Sequence, residues 1–199
     1  MPIKPSDNPR LKRICLHEAG HLVVAKELNF TTHGLTIRIF YNDGHAGDAG
    51  VEPRTAGITQ IDHLIKYLQR RIKVLYAGVY AESISEDGSF DHRHVRNELE
   101  NGAATNDHSK IREHLQTLRN VTHPETTEER QANYEIAESK GELMHEASRI
   151  VKNRYTVINA IAEALVQKVT NYSIEYQLTE GEISQIPEVE EFLRAITHD

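Results

Sequence analysis

Two histidines four positions apart, with a glutamate beside the first, are the residues of this chain best suited to chemistry. His17-Glu18-Ala19-Gly20-His21 forms the pattern HExxH. Residues four apart lie one turn apart on the same face of a helix, so both imidazoles can bind one Zn²⁺. Zinc lowers the pKa of a bound water towards ~7, and Glu18 is placed to take its proton. This pattern predicts His17 and His21 as metal ligands, Glu18 as the catalytic base, and hydrolysis of a peptide bond as the reaction.

The neighbouring residues predict that a helix over roughly 10–29 carries the motif. Its apolar residues recur with helical spacing, but the segment is too short and too charged to span a bilayer. Gly20 costs about 1 kcal/mol relative to Ala inside a helix. We therefore expect that this small residue allows another backbone to approach the metal-bearing face closely.

Composition favours a soluble, acidic protein with one main domain. The chain has 199 residues, a formal net charge of −7 and a mean hydropathy of −0.56. An acidic surface argues against non-specific binding of nucleic acid, and no apolar run is long enough for a membrane helix. Residues 1–10 are polar, lack the apolar core of a secretory signal, and are expected to be disordered or extended. Residues 11–199 are expected to form the single domain.

Cys15 is the only cysteine, so no internal disulfide can form, and this usage predicts a cytoplasmic location. It stands two residues before His17. Positions i and i+2 face different sides of a helix, so a buried core thiol is favoured over a fourth metal ligand.

The pattern of elements predicts a mainly α fold with a small β-sheet. We expect a strand at 35–40, a flexible loop at 41–50, and a weaker edge strand at 51–59 that Pro53 interrupts. Further helices are expected at 61–85, from 105 to about 119, over a long stretch to about 168, and as short pieces in 178–196. Residues 91–100 read as a short helix or loop, in which His92 and His94 are expected to be solvated rather than to form a second metal site.

A catalytic zinc takes three protein ligands and a water, so two histidines are not enough. The chain lacks the longer HExxHxxGxxH pattern, and no downstream helix supplies the acidic pattern of thermolysin-like enzymes. The third ligand cannot be identified from the HExxH motif alone.

Three segments together resemble the zinc protease domain of FtsH-type AAA+ proteases. HEAGH is followed by Leu-Val-Val, residues 75–84 (LYAGVYAESI) are similar to the family's LLGGRAAEEI, and residues 103–107 (AATND) are similar to TTGAxND. Segments within 147–183 resemble the C-terminal helices of that domain, so the resemblance covers residues 11 to 186. It implies a zinc metallopeptidase domain that acts on peptides or unfolded proteins.

The resemblance also implies roles for two acidic residues. Asp107 matches the aspartate that is the family's third zinc ligand, and two imidazoles with one carboxylate are an ordinary zinc set. Its place at the start of a predicted helix leaves a second interpretation, a helix N-cap with no metal. Glu82 matches an acid behind the family's site. It could orient a zinc-binding histidine through the second ring nitrogen, or be an ordinary polar helix residue.

Departures from the family pattern concern the delivery of substrate. We expect no counterpart of the family's ATPase module or membrane anchors in these 199 residues, Val79 replaces an arginine, and Ala103 replaces a glycine. We therefore expect a stand-alone peptidase, with a homo-oligomer and a separate ATPase as candidate partners. The family's substrate-pairing strand maps onto residues 50–59. Two other functions stay open, namely a catalytically silent peptidase-like module for binding or regulation, and a hydrolase of a non-peptide amide.

Overall fold

Helix α1 (Asn8–Glu27) carries the motif and lies inside the structure, a computed structural model that describes residues 1–42, 44–53, 57–85 and 87–196. Its residues 14–25 are all buried, so neighbours cover the helix on every side. It packs mainly against α2 (Ile61–Ser83) and α6 (Tyr155–Lys168). The chemistry-bearing residues therefore sit in the core.

The contact between α1 and α2 depends on Gly20. A Cβ atom at this position would lie 2.6 Å from the Cβ of Ala81 and 2.7 Å from the carbonyl oxygen of Ala77. Both distances are shorter than any ordinary contact, so only glycine lets the two backbones come this close. The expectation that Gly20 admits another backbone is confirmed.

The remaining helices surround this pair. The chain is 67% helical, which confirms the mainly α prediction. Helix α2 packs on α4 and α5, and α8 packs on α6. The bounds of the other helices are α3 (His92–Asn101), α4 (Thr105–Thr122), α5 (Glu129–Asn153), α7 (Glu180–Ser184) and α8 (Pro187–Ile196). No helix in the described ranges combines the length and apolarity needed to cross a membrane.

The sheet has three antiparallel strands in the order β2-β1-β3. They are β1 (Leu35–Ile39), β2 (His45–Asp48) and β3 (Glu175–Leu178). In β1 every second residue is buried, as the alternating pattern predicts. Ile37 stands opposite Gly47 on one side and Tyr176 on the other, so β2 is an edge strand.

Two predictions about the sheet are wrong. Residues 41–50 are not simply a loop, because β2 lies within them. The strand expected at 51–59 is reduced to one isolated bridge between Val51 and Thr32, and residues 54–56 of that stretch lie outside the described residues. Instead of a strand pair, the described residues form a sheet of three strands. Ala, Gly and Asp disfavour strands, so β2 forms because β1 offers it a ladder.

The ends of the long helices also differ from the predictions. The helical stretch expected to continue to about 168 is two helices, α5 and α6, which meet at Arg154. The Arg154 guanidinium binds both carboxylate oxygens of Glu27, at 2.9 and 3.0 Å, and so ties this corner to the end of α1. Residues 1–10, expected to be disordered or extended, include a 3-10 helix (Pro5–Asp7) and the start of α1 at Asn8, and the Ile3 N–H donates to the carbonyl of Thr170.

Candidate metal centre

Helix α1 buries the three functional residues of HExxH. His17, Glu18 and His21 have only 9%, 7% and 8% of their surface exposed. Burying polar and ionisable groups costs free energy unless they find partners. The partners of these three residues therefore indicate what the site is arranged to do.

The two imidazoles and the Asp107 carboxylate form a close triangle of ligand atoms. The two Nε2 atoms are 3.0 Å apart, and Asp107 Oδ2 lies 3.4 Å from His17 Nε2 and 3.2 Å from His21 Nε2. Bonds of ~2.0–2.1 Å to a tetrahedral metal separate the ligand atoms by about 3.3–3.4 Å. The three observed separations are close to that value, so the three residues fit one divalent ion. This group is the one set of three or more candidate ligands found across the described residues.

The Nδ1 atom of each ring faces an oxygen atom, which is a hydrogen-bond acceptor for His21 and a carboxylate oxygen at ion-pair distance for His17. His21 Nδ1 lies 2.7 Å from the carbonyl oxygen of Val74 on α2, and His17 Nδ1 lies 3.5 Å from Glu82 Oε1. An acceptor at Nδ1 holds the proton there and leaves the lone pair on Nε2, the atom that faces the triangle. Glu82 thus occupies the position behind a histidine that the resemblance implied for it.

Asp107 reaches the rings from the first turn of α4, 90 positions after His17. The N-cap of α4 is Ala104, and Asp107 is the third residue of the helix, so the N-cap interpretation of Asp107 is wrong. The turn before the helix is held by Glu98, whose Oε2 accepts the backbone N–H of Ala103 at 3.0 Å. This turn directs the start of α4 towards α1.

Gly78 on α2 forms the wall against which both rings lie. A Cβ atom there would be 2.5 Å from His21 Nε2 and 2.6 Å from His17 Nε2. No real Cβ approaches other atoms so closely, and any side chain at this position would push on the two ligand nitrogens together. The absence of a side chain at residue 78 is therefore part of the site.

Glu18 lines the same cavity, which has a volume of about 300 Å³. Edge strand β2 borders it, and a Cβ at Gly47 would lie only 2.2 Å from Glu18 Oε1. The carboxylate is therefore held between α1 and β2, next to the triangle but outside it. The cavity is lined by His17, Glu18, His21, His45, Ala46, Gly47, Asp48, Ala49, Val51, Arg71, Val74, Leu75, Ala103, Asn106, Asp107 and Lys110.

The ionisable groups of the centre perturb one another. Burial raises the pKa of Glu18, and the nearby His17 and His21 only partly oppose this. Burial also disfavours the charged form of Asp107, but its contacts with the two rings outweigh that effect and hold its pKa well below the ordinary range. Three acidic groups, Glu18, Glu82 and Asp107, surround two imidazoles, so the electrostatic potential favours a cation.

Other residues considered from the sequence lie away from this triangle. Cys15 is fully buried in the core, as predicted, and burial raises the pKa of its thiol. His92 and His94 belong to α3, and His94 Nε2 lies 3.8 Å from Glu82 Oε1. His108 follows Asp107 but lines different cavities. No sequence signal marked the carbonyl of Val74 as a partner of His21, because every residue carries such a group.

No family model matches the chain, and no curated protein matches it. The functional interpretation therefore depends on the motifs and on the geometry of the site.

Proposed function

We propose that this protein is a zinc-dependent metallopeptidase that hydrolyses peptide bonds in flexible or unfolded polypeptides. The observation that carries the proposal is the convergence of His17 Nε2, His21 Nε2 and Asp107 Oδ2 within 3.4 Å of one another, with the Glu18 carboxylate in the same cavity. A site that only bound metal would have no need of the Glu18 carboxylate, which lies in the cavity but is not one of the three ligands. Three protein ligands also leave a coordination position open, as catalytic zinc sites do.

His17, His21 and Asp107 would hold the zinc ion. When bound, zinc supplies a Lewis acid that polarises a carbonyl oxygen and makes a water more acidic. Glu18 accepts the proton of the attacking water and then donates it to the leaving amine. Its raised pKa suits this double role, because a carboxylate with a higher proton affinity is a better base and still returns the proton.

Strand β2 is the element that would present the substrate to these groups. It pairs with β1 on one side only, and its residues 46–48 are exposed while lining the cavity. An extended peptide can add to such an edge through backbone hydrogen bonds, which bind any sequence. The pairing role expected for residues 50–59 is therefore reassigned in this proposal to 45–48. A flexible chain can adopt the extended form, whereas a folded one cannot.

The test combines metal analysis with proteolysis. Purified wild type, Glu18→Gln and Glu142→Gln are loaded with zinc, dialysed, and assayed for zinc content and for cleavage of casein and of a quenched fluorescent peptide library. Glu142 is an exposed residue of α5 and serves as the matched control. We expect equal zinc in all three proteins, equal cleavage by wild type and Glu142→Gln, and a loss of roughly 10²–10⁴-fold in Glu18→Gln.

The other outcomes separate the alternatives. Zinc bound with no cleavage by the wild type would replace the proposal with a binding or regulatory module. Cleavage of small amides but not of peptides would identify a non-peptide hydrolase. Activity in Glu18→Gln equal to that of the wild type would remove Glu18 from the mechanism.

A further inference from the structure

The cavity of the metal centre contains two cations that the proposed reaction leaves without a role. Arg71 on α2 and Lys110 on α4 both line it. Arg71 precedes Val74, the acceptor of His21, by three residues, and Lys110 follows Asp107 by three. Three residues correspond to a rise of about 4.5 Å along a helix. Each cation is therefore displaced by about one turn from a group that builds the metal centre.

Both cations lie near His114 on α4. Helices α2 and α4 pack against each other, and His114, one turn beyond Lys110, responds to both charges. Burial lowers the pKa of His114, and the positive charges of Arg71 and Lys110 lower it further. A neutral His114 adds no charge of its own. The cavity thus holds two positive charges beside the carboxylates of Glu18, Asp48 and Asp107, in a chain whose net charge is −7.

Neither cation has a close carboxylate partner in the part of the chain that the structure describes. Within the described ranges, no carboxylate lies within ion-pair distance of the Arg71 guanidinium. Among the residues that the structure describes, Lys110 Nζ has one carboxylate partner, Asp107 Oδ1 at 4.0 Å, and this carboxylate already places its other oxygen between the two histidines. Arginine binds a carboxylate through two parallel hydrogen bonds, and a partly enclosed cavity strengthens that interaction. The arrangement is suited to an anion that arrives with the substrate.

We propose that Arg71 and Lys110 form a subsite for a carboxylate of the substrate, next to the metal centre. This proposal rests on the proposed peptidase function and adds a substrate class to it, namely peptides with an acidic group adjoining the scissile bond. One residue of an extended chain spans only ~3.3–3.6 Å. One helical turn is of the same order as one or two residues of an extended substrate, so the proposal assigns the carboxylate to the residue next to the bond that is cut. That carboxylate is either a free C-terminus or the side chain of Asp or Glu.

The test uses four peptides on one neutral sequence of known cleavage. In each peptide the residue next to the scissile bond is the last one. That residue is either Glu or Gln, and its C-terminus is either a free acid or an amide, which gives the four combinations. Zinc-loaded wild type, Arg71→Gln, Lys110→Gln and the control Arg149→Gln are compared by kcat/KM. Arg149 is exposed on α5, far along the chain from the cavity lining. Peptide binding is measured separately by fluorescence anisotropy in a Glu18→Gln background, and zinc content is determined for every variant.

We expect wild type and Arg149→Gln to prefer the acidic peptides, and Arg71→Gln to lower the acidic-to-neutral ratio of kcat/KM roughly 10- to 100-fold. Lys110→Gln should have a smaller effect in the same direction, because its side chain is 45% exposed. A preference for Glu over Gln assigns the subsite to a side chain, and one for acid over amide assigns it to a C-terminus.

Failure of the subsite differs from failure of the peptidase. Cleavage with no charge preference in the wild type, or a preference that survives Arg71→Gln, overturns the subsite and leaves the peptidase intact. Binding of acidic peptides that depends on Arg71, without any cleavage, keeps the subsite and overturns the peptidase. Absence of both binding and cleavage overturns both.

Discussion

Replacing Gly78 by alanine tests the metal centre without removing a ligand. The added Cβ would stand 2.5 Å from His21 Nε2 and 2.6 Å from His17 Nε2. Ordinary contacts between non-bonded atoms begin near ~3.5 Å, so the rings of His21 and His17 would have to retreat by about 1.0 and about 0.9 Å. Metal sites require ligand distances correct to within ~0.2 Å. The substitution therefore displaces two of three ligand atoms by several times the permitted error.

The expected consequence is a large loss of metal affinity with a small change in stability. Perturbing a single group behind a ligand already costs about 10- to 100-fold in affinity, so we expect at least ~100-fold for Gly78→Ala. Overpacking costs ~1–3 kcal/mol, and replacing glycine inside a helix regains up to about 1 kcal/mol. The fold should survive with a loss of no more than about 2 kcal/mol.

Gly141→Ala is the matched control. Gly141 is also helical, on α5, but a Cβ there would meet nothing within 4 Å. This variant should gain up to about 1 kcal/mol of stability and keep wild-type affinity for zinc. Competition with a chromophoric chelator measures the affinity, and thermal unfolding followed by circular dichroism measures the stability. Gly78→Ala that binds zinc as tightly as wild type would refute the arrangement of the two rings described here.

Two further predictions concern groups around the centre and on the opposite side of α1. Glu82→Gln should weaken zinc binding about 10-fold, because an amide orients the Nδ1–H of His17 less strongly than a carboxylate does. The same chelator competition measures the affinity. Unchanged affinity would make Glu82 an ordinary buried polar residue. Burial opposes the charge of Glu180, but its bond to Lys26, at 2.6 Å, contributes to a net lowering of its pKa. A lowered pKa stabilises the fold above the pKa of the unfolded chain, and this contribution is lost as pH falls through the folded value. Glu180→Gln should therefore lower the free energy of unfolding by about 1 kcal/mol near neutral pH and by much less in strong acid. Urea unfolding at the two pH values measures this difference. An equal loss of stability at the two pH values would contradict the ion pair.

Sequence patterns predict those structural features that depend on residues close together in the chain. The spacing of apolar residues predicts α1 and α2, and the alternation at 35–39 predicts β1, because each pattern marks the face that a single element buries. Strand β2 was missed for the opposite reason. Its residues favour turns, and it exists because β1 supplies the hydrogen-bond partners. The division of α5 from α6 was also missed, since Arg154 is neither glycine nor proline and is held by Glu27 from a distant helix.

The sequence by itself determined the pair of imidazoles on α1 and the glutamate beside them, because the pitch of an α-helix places residues four apart on one face. It also marked Asp107 as a candidate, through its likeness to a motif. Only the tertiary structure brings this carboxylate within 3.4 Å of both rings, because closing a loop of 90 residues depends on how α2 and α4 pack. Packing alone also decides that a bare backbone at Gly78 faces the ligand nitrogens and that the carbonyl of Val74 orients His21.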